Sequence, residues 1–252
     1  DMNRHITDLG SAYLDSACQR ELSHRYMLGL YSVLERLNQS FPDVLFEGCS
    51  SGGGRYDAGM LYYMPQTWAS DNTDAVCRLK IQYGTSLVFP PVTMGAHVSD
   101  VPNHQVGRYT PLSTRFLAAM SGNLGYEMDM RKLTEAEKKE IKGQICFYKN
   151  IREAIQKGRF YRLINPQNGN EAAWNFISED SMTVILCYFR VLADPLFLSR
   201  PVKLNGLEPD SVYRLEETGA CYGGDELMYS GITCCPKQED FSAQLHIFRK
   251  VK

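Results

Sequence analysis

The spacing of apolar and polar positions changes repeatedly along the chain. Across residues 17–40, Leu22, Tyr26, Leu30, Val33, Leu34 and Leu37 recur at three- and four-residue steps, with Arg20, Glu21, Arg25, Glu35 and Arg36 elsewhere. Such spacing draws one apolar stripe on a 3.6-residue period and predicts a helix, stopped by Phe41-Pro42. Residues 44–49 are short and mostly apolar, as suits a parallel strand covered on both faces. Ser50-Ser51-Gly52-Gly53-Gly54 follows, and then one or two helical turns within residues 55–63. Residues 67–70 predict another strand and 73–83 another helix, closed by Gly84. Residues 86–90 predict the start of a third strand, which runs into a strand end and a long loop carrying His97 and His104. A helix with proline in its first turn is expected over 111–120, and a glycine-rich strand over 122–127. Thr134-Glu135-Ala136-Glu137 reads as a capping box opening a long helix to Lys157. Strand and helix thus alternate four times, as in half of a (β/α)8 barrel.

After Gly158 the pattern shifts to short segments over 171–177, 182–191, 202–204, 212–215 and 245–248. Asn165-Pro166, Asn168-Gly169, Asn205-Gly206 and Gly223-Gly224-Asp225 separate them. A small antiparallel β-sandwich is predicted. The expected fold is therefore α/β: the C-terminal half of a (β/α)8 TIM barrel over residues 1–158, from the end of strand 4 to strand 8, followed by an antiparallel β-domain over 159–252.

Composition narrows the functional classes. The net charge is −2 with 22% charged residues of both signs and no basic run, so no nucleic-acid partner is expected. No apolar run approaches the roughly 20 residues that span a bilayer, and no membrane association is expected. The eight cysteines lack C-x-x-C spacing, which argues against zinc and for reduced thiols in the cytoplasm. Aromatic residues make up 11%, with 15 Tyr, which suits stacking on sugar rings and equally suits a packed core. The chain starts at Asp1 rather than Met, and the expectation is a fragment that enters a larger fold partway through. Half a barrel leaves strand edges unpaired, so such a fragment is expected to fold poorly alone.

Candidate chemistry gathers at predicted strand ends. Asp71 closes one strand just ahead of Asn72, Thr73 and Asp74, all residues able to cap a helix. It is either part of that cap or a carboxylate at the barrel mouth, where catalytic groups of (β/α)8 enzymes stand. The glycine loop lacks the lysine and spacing of a phosphate loop, and close approach of backbone to a ligand suits it better. His97 and His104 are a weak metal signal, with loop hydrogen bonding preferred. Asp57 is expected to pair with Arg55, and Cys49 to pack or touch substrate rather than act as a nucleophile. Asp1 and Asp71, if both end strands, face one mouth, and a carboxylate pair across a pocket is the apparatus of glycoside hydrolysis.

The motifs Asp1-Met2-Asn3-Arg4, Cys49-Ser50-Ser51-Gly52-Gly53-Gly54-Arg55-Tyr56-Asp57, Trp68-Ala69-Ser70-Asp71-Asn72-Thr73-Asp74 and Met94-Gly95-Ala96-His97 closely resemble those of the α-galactosidases of glycoside hydrolase family 36. Pro102-Asn103-His104-Gln105 and Glu171-Ala172-Ala173-Trp174 extend the resemblance over nearly the whole chain, in order. The resemblance implies a retaining exo-α-galactosidase acting on melibiose- and raffinose-type sugars, with Asp1 as nucleophile and Asp71 as general acid/base. It implies galactose contacts from Asn3, Cys49 and Gly52, no metal and no organic cofactor. A homo-oligomer, a tetramer by analogy with the family, is also implied. The family loop usually reads C-S-G-G-G-G. Ser51 departs from it, and there its side chain narrows the pocket or adds a hydroxyl contact. The Lys-Trp pair before the nucleophile, the N-terminal β-domain and the first barrel strands of the family have no counterpart here. A galactosyltransferase of raffinose or stachyose type, or a non-catalytic sugar-binding remnant, are the alternatives.

Overall fold

The computed structural model describes residues 9–196 and 200–251, in two compact units, Asp1–Asp71 and Asn72–Lys252. The first unit holds helix α1 (Leu22–Ser40), strand β1 (Glu47–Gly48), helix α2 (Ala58–Tyr63) and strand β2 (Gln66–Trp68). α1 starts at Leu22, after a 3-10 turn over Ser16–Glu21, and stops at Phe41, whose N–H bonds back to Leu37 O; of the expected apolar stripe Leu34 is buried, while Tyr26 and Val33 are exposed. It crosses α2 at Gly59, where a Cβ would lie 2.1 Å from the Tyr31 hydroxyl. A larger residue there would push the Tyr31 side chain aside. β1 and β2 pair in parallel, Glu47 opposite Gln66 and Gly48 opposite Thr67. The expected strand over 44–49 is thus reduced to two residues, with Val44 and Leu45 exposed.

The second unit opens with α3 (Ala75–Thr85). Of the three residues able to cap it, Asp74 does so, accepting from Cys77 N at 2.8 Å. Gly84 does not end α3 but sits in its last turn. The expected strand over 86–90 is absent: that stretch forms turns, with Leu87 63% and Val88 76% exposed. Pro90 and Pro91 instead lead into a single 3-10 turn, Pro91–Thr93. Strand β3 begins only at Met94 and runs Met94–Ser99, where a strand end and loop were expected. It is buried nearly throughout because it pairs in parallel with β4 (Asn123–Glu127) and packs under α4 (Leu112–Ala119). Pro111 stands at the N-cap of α4 rather than in its first turn. The capping box opens α5 (Glu135–Gln156) as expected: Glu137 N donates to Thr134 Oγ1 at 3.2 Å, and Thr134 N donates to Glu137 Oε2 at 2.8 Å.

Strands β5 (Arg159–Ile164), β6 (Glu171–Ile177), β7 (Thr183–Arg190), β9 (Val212–Leu215), β10 (Cys221–Gly223) and β12 (Ser242–Lys250) form one antiparallel sheet in the order β10-β9-β12-β7-β6-β5. The second layer is slight: the pair β8 (Pro201–Val202) and β11 (Ile232–Thr233), with a short helix α6 (Gly224–Tyr229) where a turn was expected. Alternation along β6 and β7 sends Trp174, Phe176, Ile185, Cys187 and Phe189 to one face, against Phe116, Ile151 and Ile155 of α4 and α5. The opposite face places Ala173, Leu186 and Tyr188 against Val202, Leu204, Leu227 and Ile232. The β–α alternation of the first part is that of a (β/α)8 barrel, and the sheet that follows forms a β-domain. All eight cysteines are free thiols. No helix among the described residues is long and apolar enough to cross a membrane.

Candidate active site

Two parallel neighbours end side by side in the first unit. Cys49 follows β1 directly, and Asp71 lies three residues beyond β2. Between Cys49 and Gly54 the backbone makes a left-handed turn, with φ of 54° at Ser50, 58° at Ser51, 73° at Gly52 and 89° at Gly53. Gly53 N bonds to Cys49 O at 2.9 Å and Gly54 N to Ser50 O at 3.1 Å, closing the turn. Glycine at 52 is a necessity of space as well as conformation. A Cβ there would lie 2.6 Å from Asp71 N and 2.9 Å from the Ser70 Cα, both backbone atoms. At Gly53 it would lie 3.2 Å from Ala69 O. The loop therefore lies flat on the 69–71 backbone, and the Cys49 thiol donates to Asp71 Oδ1 at 3.9 Å. Cys49 and Ser51 are exposed, so both are open to a ligand. Of the residues expected at the site, the structure brings together Cys49, Ser51, Gly52 and Asp71. Asp1 and Asn3 lie outside the described residues.

Other expectations fall differently. Asp57 forms no ion pair with Arg55; it caps α2, accepting from Met60 N at 2.9 Å. Glu47 is exposed and accepts from the Gln66 side-chain amide. His97 and His104 do not share a loop. His97 lies within β3 against Gly125, where a Cβ would meet its ring at 2.3 Å, while His104 is exposed. Burial, reinforced by the charge of Arg78, pushes the His97 imidazole down to about 4. Among the described residues no group of His, Cys, Asp and Glu could hold a metal ion.

A second set of residues, invisible as a site in the sequence, surrounds the segment just after Asp71. Asp74, besides capping α3, pairs with Arg108, whose guanidinium lies 5.4 Å over the Phe241 ring. Thr73 N donates to Gln105 Oε1 at 3.2 Å, Ser99 Oγ donates to Thr73 O at 3.1 Å, and Asn103 Nδ2 donates to Thr73 Oγ1 at 3.1 Å. The only sequence signal for this was the run Pro102-Asn103-His104-Gln105, which reads as a loop.

Known proteins bear directly on this arrangement. A family model described as melibiase matches residues 1–158, and the C-terminal domain model of glycosyl hydrolase family 36 matches residues 171–248. The α-galactosidase AgaA of Geobacillus stearothermophilus is 56% identical over 252 residues, which are 100% of this chain and 34% of that protein. A crystal structure of a variant of that α-galactosidase with raffinose superposes with a TM-score of 0.96 at 55% identity, covering 99% of this chain and 35% of the other. A further variant of it, with stachyose, gives 0.95 at 55% identity and the same coverage. This chain thus spans about a third of the length of these relatives. The two family models together take in both the loop and strand end at Cys49 and Asp71 and the sheet built on Trp174, and the chain belongs to the melibiase family of glycosyl hydrolases, with the family 36 C-terminal domain.

Proposed function

We propose that this chain supplies catalytic groups of a retaining exo-α-galactosidase that removes terminal α-galactosyl residues from raffinose-type oligosaccharides by double displacement. Asp1 attacks the anomeric carbon and becomes the galactosyl ester. Asp71 first protonates the departing glycosidic oxygen, then takes the proton of the water that cleaves the ester, which regenerates both carboxyl groups. Retention calls for the two carboxyls to be roughly 5–5.5 Å apart. Asn3, Cys49, Ser51 and Gly52 hold the galactose hydroxyls, and the chemistry needs no metal or organic cofactor. Residues 1–158 form the barrel part and 159–252 the β-domain. Eight free thiols suit a cytoplasmic setting.

The observation that carries this is the contact of the glycine loop and Cys49 with Asp71 at the ends of neighbouring parallel strands. The relatives support it. The raffinose and stachyose complexes are each of a variant with one aspartate replaced, and those two aspartates stand as far apart along that chain as Asp1 and Asp71 do here. Replacing a catalytic carboxylate keeps an oligosaccharide intact. In the intact enzyme, Asp71→Asn is expected to slow raffinose hydrolysis by about 10²–10⁴-fold, the usual worth of a general acid. An aryl galactoside with a good leaving group should still esterify Asp1. Unimpaired raffinose turnover would remove Asp71 from the role.

A further inference from the structure

Cys49 is fixed from both sides. Ahead of it β1 is paired with β2, Gly48 opposite Thr67. Behind it the Cys49 carbonyl accepts from Gly53 N at 2.9 Å, which closes the left-handed turn. That turn lies against the other strand end: a Cβ at Gly52 would be 2.6 Å from Asp71 N and 3.1 Å from the Ser70 carbonyl carbon. Two backbone stretches in contact thus carry the thiol and the carboxyl toward one another, and the Cys49 thiol donates to Asp71 Oδ1 at 3.9 Å. Burial does not explain a cysteine here, since the residue is exposed. The bond has a chemical consequence. A protonated carboxyl has one O–H and one oxygen that only accepts. With the thiol aimed at Oδ1, that oxygen takes the accepting part and the proton sits on Oδ2.

We propose that Cys49, besides holding the sugar, is a positioning residue for Asp71: its thiol turns the carboxyl so that Oδ2 carries the proton for the leaving oxygen. This rests on Asp71 being the acid/base, as proposed above. Both residues belong to the first unit. In the first half-reaction Oδ2 gives up its proton as the glycosidic C–O bond breaks. In the second it takes a proton from the attacking water, and the carboxyl returns to its starting form. General acid catalysis works over heavy-atom distances of about 2.6–3.2 Å, so a carboxyl turned to present the wrong oxygen forfeits part of its worth.

The test uses the intact enzyme and two substrates that present the same galactose: raffinose, whose leaving group needs a proton, and a nitrophenyl α-galactoside, whose leaving group needs none. The quantity read is kcat/KM, which reports galactosylation. Cys49→Val removes the donor and keeps the bulk. Its kcat/KM is expected to fall about 10- to 100-fold further on raffinose than on the nitrophenyl substrate. A lost sugar contact lowers both alike, so the ratio reads the acid alone. Across a series of aryl galactosides, kcat/KM should also fall more steeply with leaving-group pKa than in the unaltered enzyme, which a loosened fold does not produce. Cys49→Ala should show the same split, and it serves if Cys49→Val fails to fold. Equal falls on both substrates, a larger fall on the nitrophenyl substrate, or no fall on raffinose would overturn the role. Asp71→Asn is measured alongside. If it shows the split and the Cys49 variants do not, only the thiol's role is lost; if it slows both substrates alike, the acid/base assignment falls and takes the thiol's role with it.

Discussion

Ser51 sits at φ 58° and ψ 58°, a left-handed conformation that costs an L-residue with a Cβ roughly 1–2 kcal/mol. Ser51→Gly removes that cost but returns part of it, about 0.5–1 kcal/mol, as backbone freedom of the unfolded chain. A net gain of about 0.5 kcal/mol is expected, read as a higher denaturant midpoint. Gly52→Ala should do the opposite and abolish activity, because its Cβ would press on the Asp71 backbone. His97 gives a prediction in pH. Its folded-state value, about 4, is below the ordinary 6.5, so as pH falls the unfolded chain takes up the proton first. Its contribution to stability is intact above pH 6.5, drains away between 6.5 and about 4, and falls no further below that. The midpoint of a His97→Gln variant should therefore depend less on pH across that window; parallel curves would disprove it. Cys49, Gly52 and Asp71, which the structure brings together, lie in runs legible as motifs, and Gly52-Gly53 signalled a left-handed turn. That the turn also takes in two serines was not legible, because serine carries no preference for that conformation.

At the scale of elements, the sequence was most readable where local chemistry decides. The capping box of α5 needs only Thr134 and Glu137, and it forms as read. It misled where neighbours decide. Leu87-Val88-Phe89 has the composition of a strand, but its N–H groups bond back to Gly84 O and Thr85 O in turns that follow α3, and Met94-Gly95-Ala96-His97, poor in β-formers, opens β3. Small residues suit that place: a Cβ at Gly122 would lie 2.8 Å from Met94 O, and Gly125 leaves room for the His97 ring. The two caps should likewise differ in worth. Thr134 is exposed, and Thr134→Ala should cost about 1 kcal/mol. Asp74 is 1% exposed, caps α3 and neutralises Arg108, so Asp74→Ala removes a cap and an ion pair. About 2 kcal/mol is expected, the upper end for a lost cap, since Arg108 has 28% of its side chain exposed and its charge can return to water. Equal denaturation midpoints for the two variants would refute that difference.

For the second unit as a whole, the change of pattern at Gly158 marks a change of secondary structure but not of core. α5 ends there and β5 begins, and a Cβ at Gly158 would lie 2.1 Å from Ala154 O and 2.4 Å from Ile177 O, so helix end and sheet meet backbone to backbone. Beyond that point one apolar cluster continues from Phe116, Ile151 and Ile155 into Trp174, Phe176, Ile185 and Phe189 of the sheet. Trp174 fastens it twice, packing its ring 4.9 Å from Phe189 and donating Nε1–H to Ser121 Oγ at 2.8 Å, just ahead of β4. Sequence patterning separates periods of 3.6 and 2, but it does not report which faces share a core, so this continuity was not legible. The shared core predicts that the helices beside the β-domain need its cover to fold. Trp174→Ala should lower stability by about 3–5 kcal/mol in a single cooperative transition, since it opens a cavity inside one core. Ending the chain after Lys157 should do more. The faces of α4 and α5 that the sheet covers would be left to water, and the product should bind a hydrophobic dye and lose its cooperative urea transition. A soluble truncated chain that unfolds cooperatively at the midpoint of the longer one would show that the two patterns have separate cores after all.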